Sequence, residues 1–276
     1  MKMYSTIDLH VHSTASDGRS TPEQVIDLAI ERKIKILALT DHDTTRGCAA
    51  AQTRATHSGL TFISGVEINT DSDLGEVHLL GYFARVDQPQ LQAALNELQQ
   101  RRRERALEII AKLNKIGVAI TLEQVQAPNL QAAITRAHIA QVLVDTHQVA
   151  DKAGAFELYL GKGKPAYVPR YAFDPKQAID LIRSCGGIAS VAHPVRSGNV
   201  EQIPELIRQG LQAIEVYYAD HSPNDIAILM AIADTHGLLH TGGSDFHAER
   251  KDGLRSLGSV WVPDAAGENL LAAIKV

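Results

Sequence analysis

Short apolar runs that each end on a histidine or a carboxylate recur along this chain, and that recurrence constrains the fold more than any bulk property. Ile7 to His12 alternates Ile, Leu and Val with Asp, His and His, the period-2 pattern of a strand with two distinct faces. Lys35 to Thr40 runs straight into Asp41, His42 and Asp43. The run from Thr61 to Val66 ends at Glu67, and the run from Glu76 to Tyr82 carries His78. Gly187 to Ala192 ends at His193, and Leu238 to Gly243 ends at Ser244, Asp245, Phe246 and His247. Helical patterns lie between these runs. Thr21 can cap a helix with Pro22 at its first position and Gln24 three residues after the cap, and further patterns cover Asp174 to Arg183, Pro204 to Gln209 and Pro223 to His236. Alternating strand and helix predicts an α/β chain built on a parallel sheet or barrel.

From about Gln90 to Gly163 the alternation stops. Leu91, Leu95 and Leu98, then Leu107, Ile110, Ala111 and Leu113, have helical spacing, Gly117 closes the segment, and no buried strand is apparent. The expected organisation is a barrel made of residues 1–89 and 164–276 with a small helical insertion, residues 90–163, covering its mouth. No repeat, low-complexity tract or Gly/Ser linker separates the two parts, so the insertion is expected to pack on the barrel.

His10 and His12, one residue apart on a strand, project from one face and can share a metal. If the strands form a barrel, Asp17, His42, Glu67, His78, His193, Asp245 and His247 gather with them at one end, where such barrels place their active sites. Imidazoles and carboxylates without thiolates suit Mn, Zn or Fe, or a mixed site. One zinc needs only three or four ligands, so nine candidates point to two or three divalent ions. The chain's 276 residues carry 45% hydrophobic and 21% charged residues, and no apolar run approaches the roughly 18 residues of a membrane span. The first ten residues lack a secretory signal, and Cys48 and Cys185 form no spaced motif, which predicts a cytoplasmic protein with reduced thiols. A net charge of −5 argues against a protein that coats long nucleic acid, while leaving a nucleotide or short RNA open; neither membrane nor protein partner is predicted.

The motifs Asp8-Leu-His10-Val-His12-Ser-Thr, Ser16-Asp17-Gly18, Thr40-Asp41-His42-Asp43, Gly65-Val66-Glu67, Glu76-Val-His78, Ala192-His193-Pro194 and Gly243-Ser244-Asp245-Phe246-His247 occur in this order. In this order they resemble the PHP family of polymerase and histidinol phosphatase phosphoesterases, over residues 5 to about 250. The resemblance implies a distorted barrel of seven β/α units. It also implies one metal at His10, His12, Glu67 and Asp245, a second at Glu67, His78 and His193, and a third at Asp17, His42 and His247, with Mn the first expectation and Zn, Fe or Mg the others. The insertion, with Ile134-Thr-Arg136-Ala-His138 and Gly161-Lys-Gly-Lys164, resembles a bacterial subgroup of the family. That subgroup implies a phosphatase removing the 3'-phosphate of nucleoside 3',5'-bisphosphates, with 5'-to-3' exoribonuclease action on short RNA as the alternative. Histidinol phosphate phosphatase or a noncatalytic PHP module are more distant alternatives.

Hydrolysis of a phosphate ester needs a nucleophile, charge neutralisation at phosphorus and help for the leaving oxygen, all of which clustered metals can supply through bound water that becomes hydroxide near neutral pH. Asp245 is expected to serve catalysis as well as metal binding, and His221 to contact substrate or protonate the leaving group. Arg136, Lys164 and Arg196 are the substrate-phosphate candidates, with His138 beside them. Asp8, Asp41 and Asp43 are expected to orient neighbouring imidazoles, and Ser13 and Ser244 to organise backbone. The run Arg101 to Arg105 reads as a solvated helix face, and Tyr167, Tyr217 and Tyr218 as base-stacking candidates if they line the pocket.

Overall fold

The computed structural model describes residues 4–72, 75–126, 132–169, 171, 173–248 and 255–274. Seven strands form one sheet in chain order: β1 (Ile7–Asp8), β2 (Ile36–Leu39), β3 (Thr61–Ser72), β4 (Gly75–Phe83), β5 (Ile188–Val191), β6 (Ala213–Tyr218) and β7 (Leu239–Gly243). The sheet curls until its first and last strands meet. Leu9 N–H donates to the Gly242 carbonyl at 3.0 Å and His12 N–H to the Phe246 carbonyl at 2.8 Å, which nearly closes a barrel. Gly243 permits this seam, because a Cβ there would stand 2.4 Å from the His10 nitrogen.

Ten α-helices accompany the described strands: α1 (Pro22–Glu31), α2 (Cys48–Ala55), α3 (Pro89–Lys115), α4 (Leu122–Gln126), α5 (Arg136–Asp145), α6 (Lys152–Ala155), α7 (Pro175–Ser184), α8 (Ile203–Arg208), α9 (Pro223–His236) and α10 (Asp264–Ala273). The capping box anticipated at Thr21 and Gln24 forms in both directions, and Asp174 with Gln177 makes another ahead of α7. Alternate strand residues feed two apolar layers. Leu37 and Leu39 pack with Val25, Ile26 and Ala29 of α1 and Ala51 of α2, whereas Ile36 and Ala38 join the larger cluster with β3 to β7.

The strand pattern differs from the sequence reading in four places. β1 is short, and past Asp8 the segment touches its neighbours only through isolated pairs such as Val11 with Phe246. β3 does not stop at Glu67 but continues to Ser72. β4 runs antiparallel to both β3 and β5, so its beginning, where His78 lies, falls at the same barrel end as the C-terminal ends of the others. β6, Ala213–Tyr218, was not among the anticipated runs.

The 27-residue α3, about 40 Å long at 1.5 Å per residue, joins two cores. Leu91, Leu95 and Leu98 pack into the barrel cluster. Ala106, Ile109, Ile110 and Leu113 instead start a separate cluster that takes in Val125, Ile139, Leu143 and Leu160 and reaches Val168. Leu107, read as part of the buried stripe, is exposed. The helical segment thus contributes to an apolar cluster separate from the barrel core, and α3 runs through both.

Candidate metal centre and substrate cavity

Glu67 is the hub of the site. It is buried in mid-strand, where pairing with Leu80 of β4 and a bridge to His42 in the loop after β2 fix its backbone. Its Oε1 faces His78 Nδ1 at 2.7 Å and His193 Nε2 at 3.2 Å, and its Oε2 faces His42 Nδ1 at 3.0 Å, His12 Nε2 at 3.2 Å and His10 Nε2 at 3.4 Å. Asp245 Oδ1 stands 3.3 Å from His12 Nε2, 3.6 Å from His10 Nε2 and 3.4 Å from His247 Nδ1. Asp17 Oδ1 lies 3.3 Å from His247 Nε2 and 3.8 Å from His42 Nε2. All nine residues proposed as ligands thus lie in one cluster. His193 and Asp245 hold φ of 30° and 53°, a region costly for residues with side chains and one that recurs at functional sites.

A surrounding frame holds the cluster. Glu215, in the strand the sequence reading missed, is fully buried; its Oε1 accepts from His10 Nδ1 at 2.9 Å and its Oε2 from the His193 backbone N–H at 2.6 Å. Asp8, Asp41 and Asp43 do not orient imidazoles as anticipated. Asp8 accepts from the Ser244 hydroxyl and N–H and from Gly258 N–H, closing the barrel seam. Asp41 accepts from Ser13 N–H and from the hydroxyls of Ser13 and Ser16, shaping the loop that carries Asp17. Asp43 pairs with Arg102 of α3. Bonded in this way, Asp8 and Asp41 fix backbone from which ligands project.

Three sets of ligand atoms lie within 4.8 Å of one another: His12, Asp17, His42 and His247; His10, His12 and Glu67; and Glu67, His78 and His193. Divalent cations fit this donor set. His12 Nδ1 and Nε2, Asp17 Oδ1 and His42 Nδ1 are buried without a hydrogen-bond partner, a cost that a cation among them would remove. Burial opposes charge on Glu67, yet the imidazoles of His42, His78 and His10 hold its carboxyl well below the usual range. Burial also opposes the His12 imidazolium, but the carboxylates of Asp245 and Glu67 beside it raise its pKa to about 10. His10 is likewise held well above the ordinary value, against burial, by Glu215, Glu67 and Asp245. Without metal these shifts favour the protonated rings, whose protons an arriving cation would displace. Metal uptake is expected to release protons, with apparent affinity rising about tenfold per pH unit for each proton displaced, up to the His12 pKa. Calorimetry in buffers of different ionisation enthalpy checks this; pH-independent affinity would contradict it.

The cluster opens into a cavity of about 770 Å³. Its walls carry seven cationic side chains, Arg19, Arg102, Arg105, Arg136, Lys152, Arg196 and Arg255, and an apolar strip that includes Ile109, Ile139 and Phe156 of the insertion. Two of the anticipated substrate residues line it. Arg136 lies 3.3 Å from Glu76, with its guanidinium over the Phe156 ring, and Arg196 donates to Tyr218 Oη at 2.7 Å and to Asp245 Oδ2 at 2.9 Å.

The others fall elsewhere. Lys164 is exposed and does not line the cavity. His138 lines a separate small pocket, where its Nδ1 accepts from Thr135 N–H to complete the cap of α5, and burial pushes its pKa down. His221, proposed as a proton donor, is buried outside the cavity with Nδ1 bonded to the Val216 carbonyl. Tyr167 and Tyr217 are not on the cavity wall, and Tyr218 donates to Asp245 Oδ2 at 2.8 Å rather than offering a stacking face.

The run Arg101 to Arg105 is not wholly solvated. Arg102 is only 14% exposed and binds Asp43 Oδ2 at 2.5 Å and Asn69, and Arg105 donates to the Val168 carbonyl at 2.9 Å. The signal was present in the sequence: Arg102 lies four residues after Leu98 and four before Ala106, on the apolar stripe of α3. Arg255, which reaches both Asp220 and Asp245, is a further cavity residue that no motif marked.

A nearly closed seven-stranded barrel with a histidine and carboxylate cluster at one end defines the class, and the PHP domain profile matches residues 8–214: the chain belongs to the PHP family. Among curated relatives it is 38% identical over 247 residues to the 5'-3' exoribonuclease Rnm of Escherichia coli K12, spanning 87% of this chain and 84% of that one. It is 37% identical over 255 residues to the 3',5'-nucleoside bisphosphate phosphatase of Chromobacterium violaceum, spanning 90% of each. Among solved structures, an amidohydrolase from Chromobacterium violaceum, crystallised with sulfate and without metal, superposes with a TM-score of 0.86 at 35% identity over 98% of both chains. A Bifidobacterium adolescentis protein described as a metal-dependent phosphoesterase superposes at 0.89 with 27% identity, over 98% of this chain and 96% of that one.

Proposed function

We propose that this chain is a metal-dependent phosphatase that hydrolyses the 3'-phosphate of nucleoside 3',5'-bisphosphates, leaving the nucleoside 5'-phosphate. The observation that carries this reading is a single cavity lined by ligand residues, by seven cations and by apolar side chains, groups suited to the phosphates and the base of a nucleoside bisphosphate. Two or three divalent ions, manganese first among them, would supply a nucleophile at neutral pH and neutralise charge on the phosphoryl oxygens.

The chain's own residues do the rest. His10, His12, Asp17, His42, Glu67, His78, His193, Asp245 and His247 hold the ions, with Glu67 placed between groups. Glu215 fixes the ring of His10 and the backbone of His193 at once. Arg196 and Arg255, both on Asp245 Oδ2, line the cavity and add positive charge beside that carboxylate, available to negative charge that develops on a bound phosphate ester. Arg102, Ile109, Ile139 and Phe156 of the insertion form part of the cavity wall.

A second reading is 5'-to-3' hydrolysis of short RNA by the same cluster. It is favoured by relatives named as 5'-3' exoribonucleases in Escherichia coli, Salmonella typhimurium and Haemophilus influenzae, 34% to 38% identical to this chain. A cytoplasmic setting fits two free, buried cysteines, with burial pushing the Cys48 thiol up to about 12. Among the described residues no helix is long and apolar enough to cross a membrane. Incubating metal-loaded protein with adenosine 3',5'-bisphosphate, histidinol phosphate and a 5'-phosphorylated oligoribonucleotide separates the readings. Fast release of inorganic phosphate from the bisphosphate supports the first, mononucleotides from the oligomer support the second, and turnover of neither would sink both.

A further inference from the structure

We infer that Arg19 and Lys152 form a subsite for a second phosphate monoester, the 5'-phosphate of the substrate that is not cleaved. The inference rests on the function proposed above and deepens it. Most cavity cations are already engaged: Arg102 with Asp43, Arg105 with the Val168 carbonyl, Arg136 with Glu76, Arg196 with Asp245, and Arg255 with Asp220 and Asp245. Among the described residues, Arg19 and Lys152 are the cavity cations with no carboxylate within ion-pair distance and no backbone carbonyl accepting from the side chain.

Their placement is built rather than incidental. Arg19 follows the ligand Asp17 by two residues, its backbone N–H donates to the His247 carbonyl at 2.7 Å, and its guanidinium is steadied by Gln141 Oε1 at 3.2 Å. Gln141 in turn donates to Asp145 at 2.8 Å, so a helix of the insertion props a side chain of the barrel. Lys152 comes from the insertion itself, is partly buried, lines the same cavity as Arg19, and lies near enough for its charge to feel Arg19 and the carboxylates of Asp17 and Asp145. Arg19 is exposed and Lys152 half-buried, and two like charges on one stretch of cavity wall, neither held in an ion pair, favour the arrival of an anion. The guanidinium offers paired donors and the ammonium a point charge, suited to a phosphate dianion. Because Arg19 belongs to the barrel and Lys152 to the insertion, a phosphate held by both also fastens the cover over the metal cluster.

The same dianion occurs on a free nucleoside bisphosphate and at the 5' end of RNA, and kinetics with two substrates test the subsite apart from the metals. Metal-loaded wild-type protein, Lys152→Met and Arg19→Gln are compared on adenosine 3',5'-bisphosphate and on adenosine 3'-monophosphate, which lacks the 5'-phosphate, alongside calorimetric binding of adenosine 5'-monophosphate. Each substitution is expected to lower kcat/KM on the bisphosphate, and affinity for the 5'-monophosphate, by roughly 10- to 100-fold. Turnover of the 3'-monophosphate should stay near wild type, and Lys152→Arg should retain most of the bisphosphate activity. Equal losses on both substrates, or unchanged binding of the 5'-monophosphate, would overturn the subsite. If wild-type protein cleaves neither ester, the functional reading fails instead, and the calorimetry still reads Arg19 and Lys152. The same variants assayed on 5'-phosphorylated and 5'-hydroxyl oligoribonucleotides show whether the dianion is read on RNA.

Discussion

Replacing Glu67 with alanine is expected to abolish phosphate ester hydrolysis while leaving the barrel folded. Both carboxylate oxygens of Glu67 are shared among five imidazoles, so its removal deprives two of the three candidate ligand groups of their anionic member. The expected loss in kcat/KM is on the order of a thousandfold or more, equivalent to about 4 kcal/mol of transition-state stabilisation. The backbone does not depend on the carboxylate. Glu67 N–H donates to the Asp41 carbonyl and its strand pairs with both neighbours, so circular dichroism should be preserved as bound metal and activity fall together. A Glu67→Ala protein that keeps full metal content and turnover would mean that the hub is not the bridge.

The second large effect is expected at Glu215, a residue that touches no substrate. One of its oxygens accepts from His10 Nδ1 and the other from the His193 backbone N–H, while His10 Nε2 points at Glu67 and Asp245. The carboxylate thereby keeps the His10 proton on Nδ1 and the Nε2 lone pair free for a cation. Glu215→Gln preserves the volume and breaks this logic. The amide must turn its oxygen to the His193 N–H, which presents its NH2 to His10 Nδ1 and drives the proton to Nε2; the other amide orientation sets two donors against each other. Metal affinity is expected to fall about 10- to 100-fold, with a parallel loss of activity at limiting metal that added metal partly restores. Unchanged affinity in a metal titration would show that the ring of His10 is oriented by something else.

The residues of the candidate metal cluster were legible in the sequence for a physical reason: a polar residue that can bind a cation is conspicuous where an apolar strand stops, and several such stops in order leave few alternatives. His10 with His12, Asp41-His42-Asp43 and Asp245-Phe246-His247 all have that form. Glu215 was hidden because it alternates with Ile214 and Val216 inside a strand that ends on tyrosines, with no ligand to draw attention to it. The direction of β4 was equally hidden. A period-2 pattern reads the same both ways, and only the short connection from Ser72 to Gly75 marks a hairpin rather than a crossover.

Cation roles were the least legible. A run containing four arginines in five residues suggests a solvated face, but the burial of Arg102 is set by the path of α3 across the barrel mouth and its pairing with Asp43. Lys164 and Arg136 looked alike in sequence, yet the turn after Leu160 points one away from the cavity while the cap at Thr135 starts the other's helix on its wall. His138, offered as a substrate contact, is occupied by that same cap. Side chains whose role depends on where an insertion lands cannot be assigned from local pattern, because local pattern fixes periodicity and not the docking of one core upon another.

The central claim is that clustered divalent ions in this barrel hydrolyse a doubly phosphorylated nucleotide. It is tested most directly by measuring phosphate release from adenosine 3',5'-bisphosphate after chelation and again after manganese is restored. The account predicts no release from the stripped protein and rapid, stoichiometric formation of inorganic phosphate and adenosine 5'-monophosphate once the metal returns. Undiminished turnover without metal, or none of the bisphosphate with it, would contradict the account.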